Sequence, residues 1–132
     1  MCYNSDCIIE IKSVIDGAKA TVSANGKVAK TPSGMRFDYV MDGDECTLTV
    51  TDGEVVQSRQ GEQNVKMTFR KNEQTECFLE SGGFAGTFPV FTHDLRACAV
   101  AGNSEALKAF TLSIVYTLGE QKIELDFSAE YK

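Results

Sequence analysis

The chain has one histidine, two prolines, no tryptophan and no Cys-x-x-Cys, and its 13 Lys and Arg residues are outnumbered by 19 Asp and Glu. Each shortage excludes something. A structural zinc site takes four thiolate or imidazole ligands, usually with pairs at short spacing. Here the one histidine is His93, and Cys2, Cys7, Cys46, Cys77 and Cys98 are scattered. No metal and no other cofactor is expected. An odd number of cysteines without a disulfide pattern reads as reduced, packed thiols. The formal charge of -6, with Arg70-Lys71 as the longest basic run, argues against a nucleic-acid partner, because phosphate neutralisation needs clustered cations. No apolar run approaches the roughly 20 residues of a spanning helix. The first residues, MCYNSDCIIEIK, lack the basic and apolar regions of a secretory signal. The expectation is a cytoplasmic protein with no membrane partner.

Catalytic patterns are missing too. His93 and Asp94 are neighbours on an extended run, so their side chains point to opposite faces and cannot orient one another as a triad would. Asp42-Gly43-Asp44-Glu45 lacks the order of a calcium loop and reads as a hairpin turn. Ser81-Gly82-Gly83 and Ala85-Gly86 are followed by neither a helix start nor a lysine, so no phosphate cradle is expected. No cationic neighbour is evident that would activate Cys46, Cys77 or Cys98. No catalytic residue is assigned, and an enzyme is the less favoured reading.

What is present is alternation. Runs of five to eight residues switch between apolar and polar, each closed by Gly, Asp or Asn, the pattern of antiparallel strands joined as a meander. Cys7, Ile9, Ile11 and Ile15 share one face. Residues 18–29 are weaker, with Asn25-Gly26 as a candidate tight turn or bulge, and Pro32 breaks the chain. Met35, Phe37, Tyr39 and Met41 continue the apolar face, as do Cys46, Leu48 and Val50, then Val65, Met67 and Phe69. Cys77 and Leu79 oppose Phe78, and Pro89 within the next run calls for an edge, a bulge or a strand start. Asn103 or Ser104 could cap one helical turn over 103–108, or this stretch is a loop. Phe110, Leu112, Ile114, Tyr116 and Leu118, then Ile123, Leu125, Phe127, Ala129 and Tyr131, form two long apolar faces. The fold expected is all-β: one domain over residues 1–132, an antiparallel meandering barrel of about 8–10 strands, with a two-sheet sandwich as the alternative.

One register stays open. A two-residue type I′ turn at Asp52-Gly53 pairs Val50 with Val55, Leu48 with Gln57 and Cys46 with Arg59, turning Gln57 and Arg59 inward. A three-residue loop with a glycine bulge pairs Leu48 with Val56 and Cys46 with Ser58, and Arg59 faces water. Burying a lone guanidinium is costly, so the bulged register is favoured.

Arg59-x-Gly61, Met67-x-Phe69, Gly86-x-Phe88-x-Val90-x-Thr92 and the strand from Leu112 to Leu118 together resemble the YwiB-like family. Its members are small, mostly Firmicute proteins of unknown function. The resemblance implies a calycin-like, lipocalin-like barrel over roughly residues 8–127. Glu80-Ser81-Gly82-Gly83 departs from the family's usual turn. The Gly-x-Trp of true lipocalins has no counterpart, so lipocalin ligand residues do not carry over.

Two functions remain open. One is an interaction module or self-associating barrel, with a homodimer as partner state. The alternative is a barrel that binds a small apolar or amphipathic molecule inside. For that alternative the lining candidates are Phe37, Tyr39, Met67, Phe69, Phe88 and Tyr116, with Arg59 as the polar handle if it turns inward.

Overall fold

A computed structural model describes residues 4–101 and 107–131. Ten antiparallel strands follow one another: β1 (Asn4–Ile15), β2 (Ala18–Thr31), β3 (Gly34–Met41), β4 (Asp44–Thr51), β5 (Glu54–Gln60), β6 (Gln63–Phe69), β7 (Gln74–Ser81), β8 (Phe84–Ala101), β9 (Leu107–Leu118) and β10 (Gln121–Tyr131). Each pairs with its neighbours in sequence, and β10 closes on β1, so the sheet is a closed barrel and not an open sandwich. Cys2 and the expected cap at Asn103 or Ser104 lie outside the described residues, while Leu107 and Lys108 belong to β9. Among the described residues no helix is long and apolar enough to cross a membrane.

The faces follow from the alternation. Phe37, Tyr39, Cys46, Leu48, Val50, Phe69, Cys77, Phe110, Leu112, Ile114, Tyr116, Ile123, Phe127 and Ala129 are all buried. Rings fill the middle: Phe37 lies 5.1 Å from Phe110 and 5.2 Å from Phe127, and Phe69 lies 4.9 Å from Tyr116. Tilted and edge-on rings at these distances are in contact.

Two expectations are overturned. The turn at Asp52-Gly53 is the two-residue one: Val50 pairs with Val55, Leu48 with Gln57 and Cys46 with Arg59. Only Gly53 takes a positive φ there (76°), so the turn has the sign pattern of type II and is not the type I′ turn expected with this register, which needs a positive φ at Asp52 as well. The bulged register had been favoured to keep Arg59 out of the core. The protein avoids that cost differently, because Arg59 sits at the barrel's rim and meets a carboxylate, as described below. The second correction concerns Asn25-Gly26, which makes neither a turn nor a bulge but lies inside an unbroken β2. A Cβ on Gly26 would fall 2.5 Å from Ile9 Cδ1 and 2.9 Å from the Asp38 carbonyl oxygen. The glycine answers a close approach between strands.

Strand lengths do not match around the barrel. Among the described residues, three stretches longer than three residues pair on one side only. Residues 18–25 of β2 pair with β1, but β2 meets β3 only from Gly26 onward. Residues 84–89 of β8 pair with β7, but β9 begins opposite Val90. Residues 94–101 of β8 pair with β9 but not with β7.

Candidate functional site

Where β2 leaves β3, the barrel wall opens into a cleft of about 670 Å³. Its inner wall is Cys7, Gly26, Tyr39 and Cys46, and Asn25 and Val40 stand at its mouth. The split has a sequence cause. β3 reaches only Met41 before the Asp42-Gly43 turn takes the chain back, while β2 continues as a 14-residue strand. Residues 18–25 therefore have β1 on one side and no strand on the other, and both faces of residues 18–23 are exposed. Ile15 and Val22 on the inward-facing side are each 37% exposed.

The wall of this cleft is poor in reactive chemistry. Burial pushes the Tyr39 hydroxyl up to about 12, helped by the charge of a Cys46 thiolate and opposed by a hydrogen bond from Gln57 and by Arg59. Burial also pushes the Cys46 thiol up, though Arg59 opposes it, and burial alone raises Cys77. A nucleophilic cysteine needs the opposite shift. Among the described residues no group of three or more His, Cys, Asp or Glu side chains could hold a metal ion. The charges on the outer lip answer one another: Asp38 accepts hydrogen bonds from Arg36 at 3.0 Å and from Thr47 at 3.1 Å.

The rim beside the cleft carries Arg59. Its Nε donates to Asp44 Oδ2 at 2.6 Å, and Asp42 lies 4.0 Å from its other end. The hydrogen bond to Asp44 raises the guanidinium further above its usual value, so the group stays charged and paired. Gly61 completes the arrangement, because a Cβ there would fall 1.7 Å from Asp44 Oδ1. The Arg59-x-Gly61 spacing is thus a seat for the Asp44 carboxylate.

Of the lining candidates, Phe37, Tyr39, Phe69 and Tyr116 are buried in the aromatic core and Met67 packs against it. Phe88 is different. Its partner Cys77 faces inward, yet Phe88 is 39% exposed and Phe84 is 55% exposed. The β7–β8 hairpin outruns β9 there, and Phe84 and Phe88 reach over Gly86, with ring atoms 3.2 Å and 3.8 Å from where its Cβ would be. Further down the same face Val90 and Thr92 are fully buried. His93 lies at the bulge between Thr92 and Asp94; it contacts Thr117 Oγ1 at 2.5 Å, while Asp94 meets Lys71 and Arg96.

The arrangement of turns, glycines and rings can be set beside known proteins. Residues 9–130 match the family model described as Domain of unknown function (DUF1934). The chain belongs to the DUF1934 family. As a DUF1934 domain it is similar in fold to the ywiB protein from Bacillus subtilis, whose crystal structure superposes with a TM-score of 0.83 over 98% of this chain and 93% of that one, at 16% identity. That degree of identity speaks for the barrel alone. No curated protein matches the DUF1934 chain by sequence. The family resemblance read from Arg59-x-Gly61 and Gly86-x-Phe88-x-Val90-x-Thr92 is therefore correct.

The open β2 edge and its cleft were not found by reading the sequence, where Asn25-Gly26 looked like a turn. A usable signal lay in lengths. Between the Asp16-Gly17 and Thr31-Pro32 breaks there are twice as many residues as a short β3 can pair.

The buried tyrosines set a pH limit on the site. Tyr39 and Tyr116 are both raised to about 12, by burial first. Below pH 10 both folded and unfolded chains hold these protons, so stability does not depend on them. Above it the unfolded chain loses them and the folded chain does not. Stability should fall from pH 10 toward pH 12, by about 1.4 kcal/mol per pH unit for each tyrosine. Urea midpoints measured across that range check this, and Tyr116→Phe should flatten the slope by about half of the two-tyrosine contribution.

Proposed function

We propose that this DUF1934 domain is a protein-interaction module that works by strand addition, with residues 18–25 of β2 as its contact edge. The observation that carries the reading is the eight-residue run with a partner on one side only. Ile15 and Ala18 flank a two-residue turn, and such flanking residues exchange both backbone bonds. By alternation Ala18, Ala20, Val22 and Ala24 direct their backbone groups at β1. Lys19, Thr21, Ser23 and Asn25 direct theirs outward, four donors and four acceptors on a rigid template. Extended polypeptides dock on such edges, main-chain bonds supplying affinity and side-chain recesses supplying selectivity. The cleft at the root of the edge is such a recess.

The other two open edges are weaker templates. Residues 84–89 end at Pro89, whose missing N–H falls on the open side. Residues 94–101 lie between two register shifts, at Thr92/Asp94 and Val100/Ala101, and bulges twist an edge away from regular pairing. Ring packing supports the same preference, since the barrel axis is occupied by Phe37, Phe110, Phe127, Phe69 and Tyr116. A small apolar molecule would find room in the cleft or beside Phe84 and Phe88 instead.

Residue-resolved amide exchange tests the reading, with an extended peptide of alternating Thr and Val as the probe. Occupancy of the edge slows exchange at Lys19, Thr21, Ser23 and Asn25 and leaves Ala20 and Val22 unchanged. Protection confined to Phe84–Phe88 would move the binding surface to the other mouth and sink this proposal.

A further inference from the structure

Resting on the strand-addition reading, we infer that the strand added to β2 is β2 of a second copy of this chain, in an antiparallel pair with its two-fold axis at Thr21. Three observations select this occupant. First, the edge is self-complementary. Centred on Thr21, the pairing sets Thr21 against Thr21 and Lys19 against Ser23 on the outer face. On the inner face it sets Ala20 against Val22 and Ala18 against Ala24. Directly opposed Thr–Thr and apolar pairs favour a sheet, and like charges directly opposed do not. Here none are opposed, because Lys19 is the only charged residue in the stretch.

Second, the charges complement across the pair. Ser23 is paired on its other side with Glu10 of β1. Lys19 of one copy thus reaches over Ser23 of the other toward Glu10, whose carboxylate also meets Lys12 of its own strand at 3.4 Å, and the reverse contact repeats by symmetry. In a chain of formal charge -6, residues 18–25 hold no Asp or Glu, so no acidic side chain of one copy lies directly opposite another within the paired strands.

Third, the register fits the open length. Counting along the pair, Gly17 of one copy falls opposite Asn25 of the other. Its turn then reaches the cleft mouth and stops short of Gly26, where β3 begins to pair. A register two residues deeper would drive that turn into the β2–β3 ladder. An isologous contact of this kind uses the same patch on both subunits and closes on itself.

The test is sedimentation of the full chain at roughly 100 µM, where an association of modest affinity is populated. Wild type is expected as a dimer. Thr21→Pro removes an N–H that faces the open edge and no bond to β1, so the barrel should fold as before while the dissociation constant rises at least about 100-fold. Unchanged amide resonances in β4–β6 establish that this variant is folded. Lys19→Glu sets a carboxylate toward Glu10 of the other copy and is expected to weaken the pair about tenfold. A folded Thr21→Pro chain that remains dimeric places the interface elsewhere and overturns the inference. A monomeric wild type at that concentration overturns it too. The peptide experiment then decides separately whether the edge receives a strand from a different protein.

Discussion

Phe69→Asp is expected to leave no cooperatively folded protein at room temperature. Phe69 is fully buried, paired with Val55 across β5–β6 and in ring contact with Tyr116 at 4.9 Å. Truncating a buried phenylalanine alone costs about 3–5 kcal/mol through lost transfer and an unfilled cavity. The aspartate adds a carboxylate with no cation nearby on the inner face, which must be desolvated or protonated. The sum reaches most of the roughly 5–15 kcal/mol by which small domains are stable. Lys66→Asp, three residues away on the outer face, should change the stability by no more than about 0.5 kcal/mol. Circular dichroism melts of the two variants provide the check. Similar losses in both would overturn this assignment of faces in β6, and a reversed order would mean that the strand is turned the other way.

Gly34→Ala should be the second severe lesion, although it adds a single methyl. A Cβ at Gly34 would lie 1.9 Å from the carbonyl oxygen of Val50 and 2.9 Å from its carbonyl carbon. Those atoms are backbone of β4, so no side chain can swing aside, and β3 must move off its partner. The first pairs of the β3–β4 ladder are then disturbed, at an expected cost of about 2–4 kcal/mol. Gly43→Ala is the comparison. Gly43 holds φ at +81° with nothing within 4 Å of its missing Cβ, so only the left-handed backbone is penalised, by roughly 1–2 kcal/mol. The two denaturation curves should separate clearly, with Gly34→Ala the less stable. A reversed order would show that β3 and β4 are spaced differently.

The fold was legible where the physics is local. Phe37 and Tyr39, or the five apolar residues from Phe110 to Leu118, announce their face because a strand alternates with period two and one side is dry. The resemblance carried by Arg59-x-Gly61 was legible as well, without its reason, which is the carboxylate of Asp44 lying fifteen residues earlier in the chain. What could not be read was non-local. Asn25-Gly26 has turn chemistry, but the glycine is required by Ile9 and the Asp38 carbonyl on two other strands. Arg59 was judged by the cost of a buried cation, and nothing near it in sequence announces that it reaches the rim. Phe88 alternates correctly and is still half open to water, since exposure there depends on where β9 stops. The cleft belongs to the same class: it arises from the difference in length between two strands.

Pro89 has a consequence beyond its own strand. A molecule with two good sheet edges can add a copy at each and grow without limit, as fibres do. In residues 84–89 only Ala85 and Thr87 direct an N–H to the open side, since Pro89 has none, and the remaining edge of β8 is bent at both ends by register shifts. Among the described residues one long regular edge is left, that of β2. On the proposed strand addition at β2, growth ends there, and the expected outcome is a pair of defined size instead of a polymer.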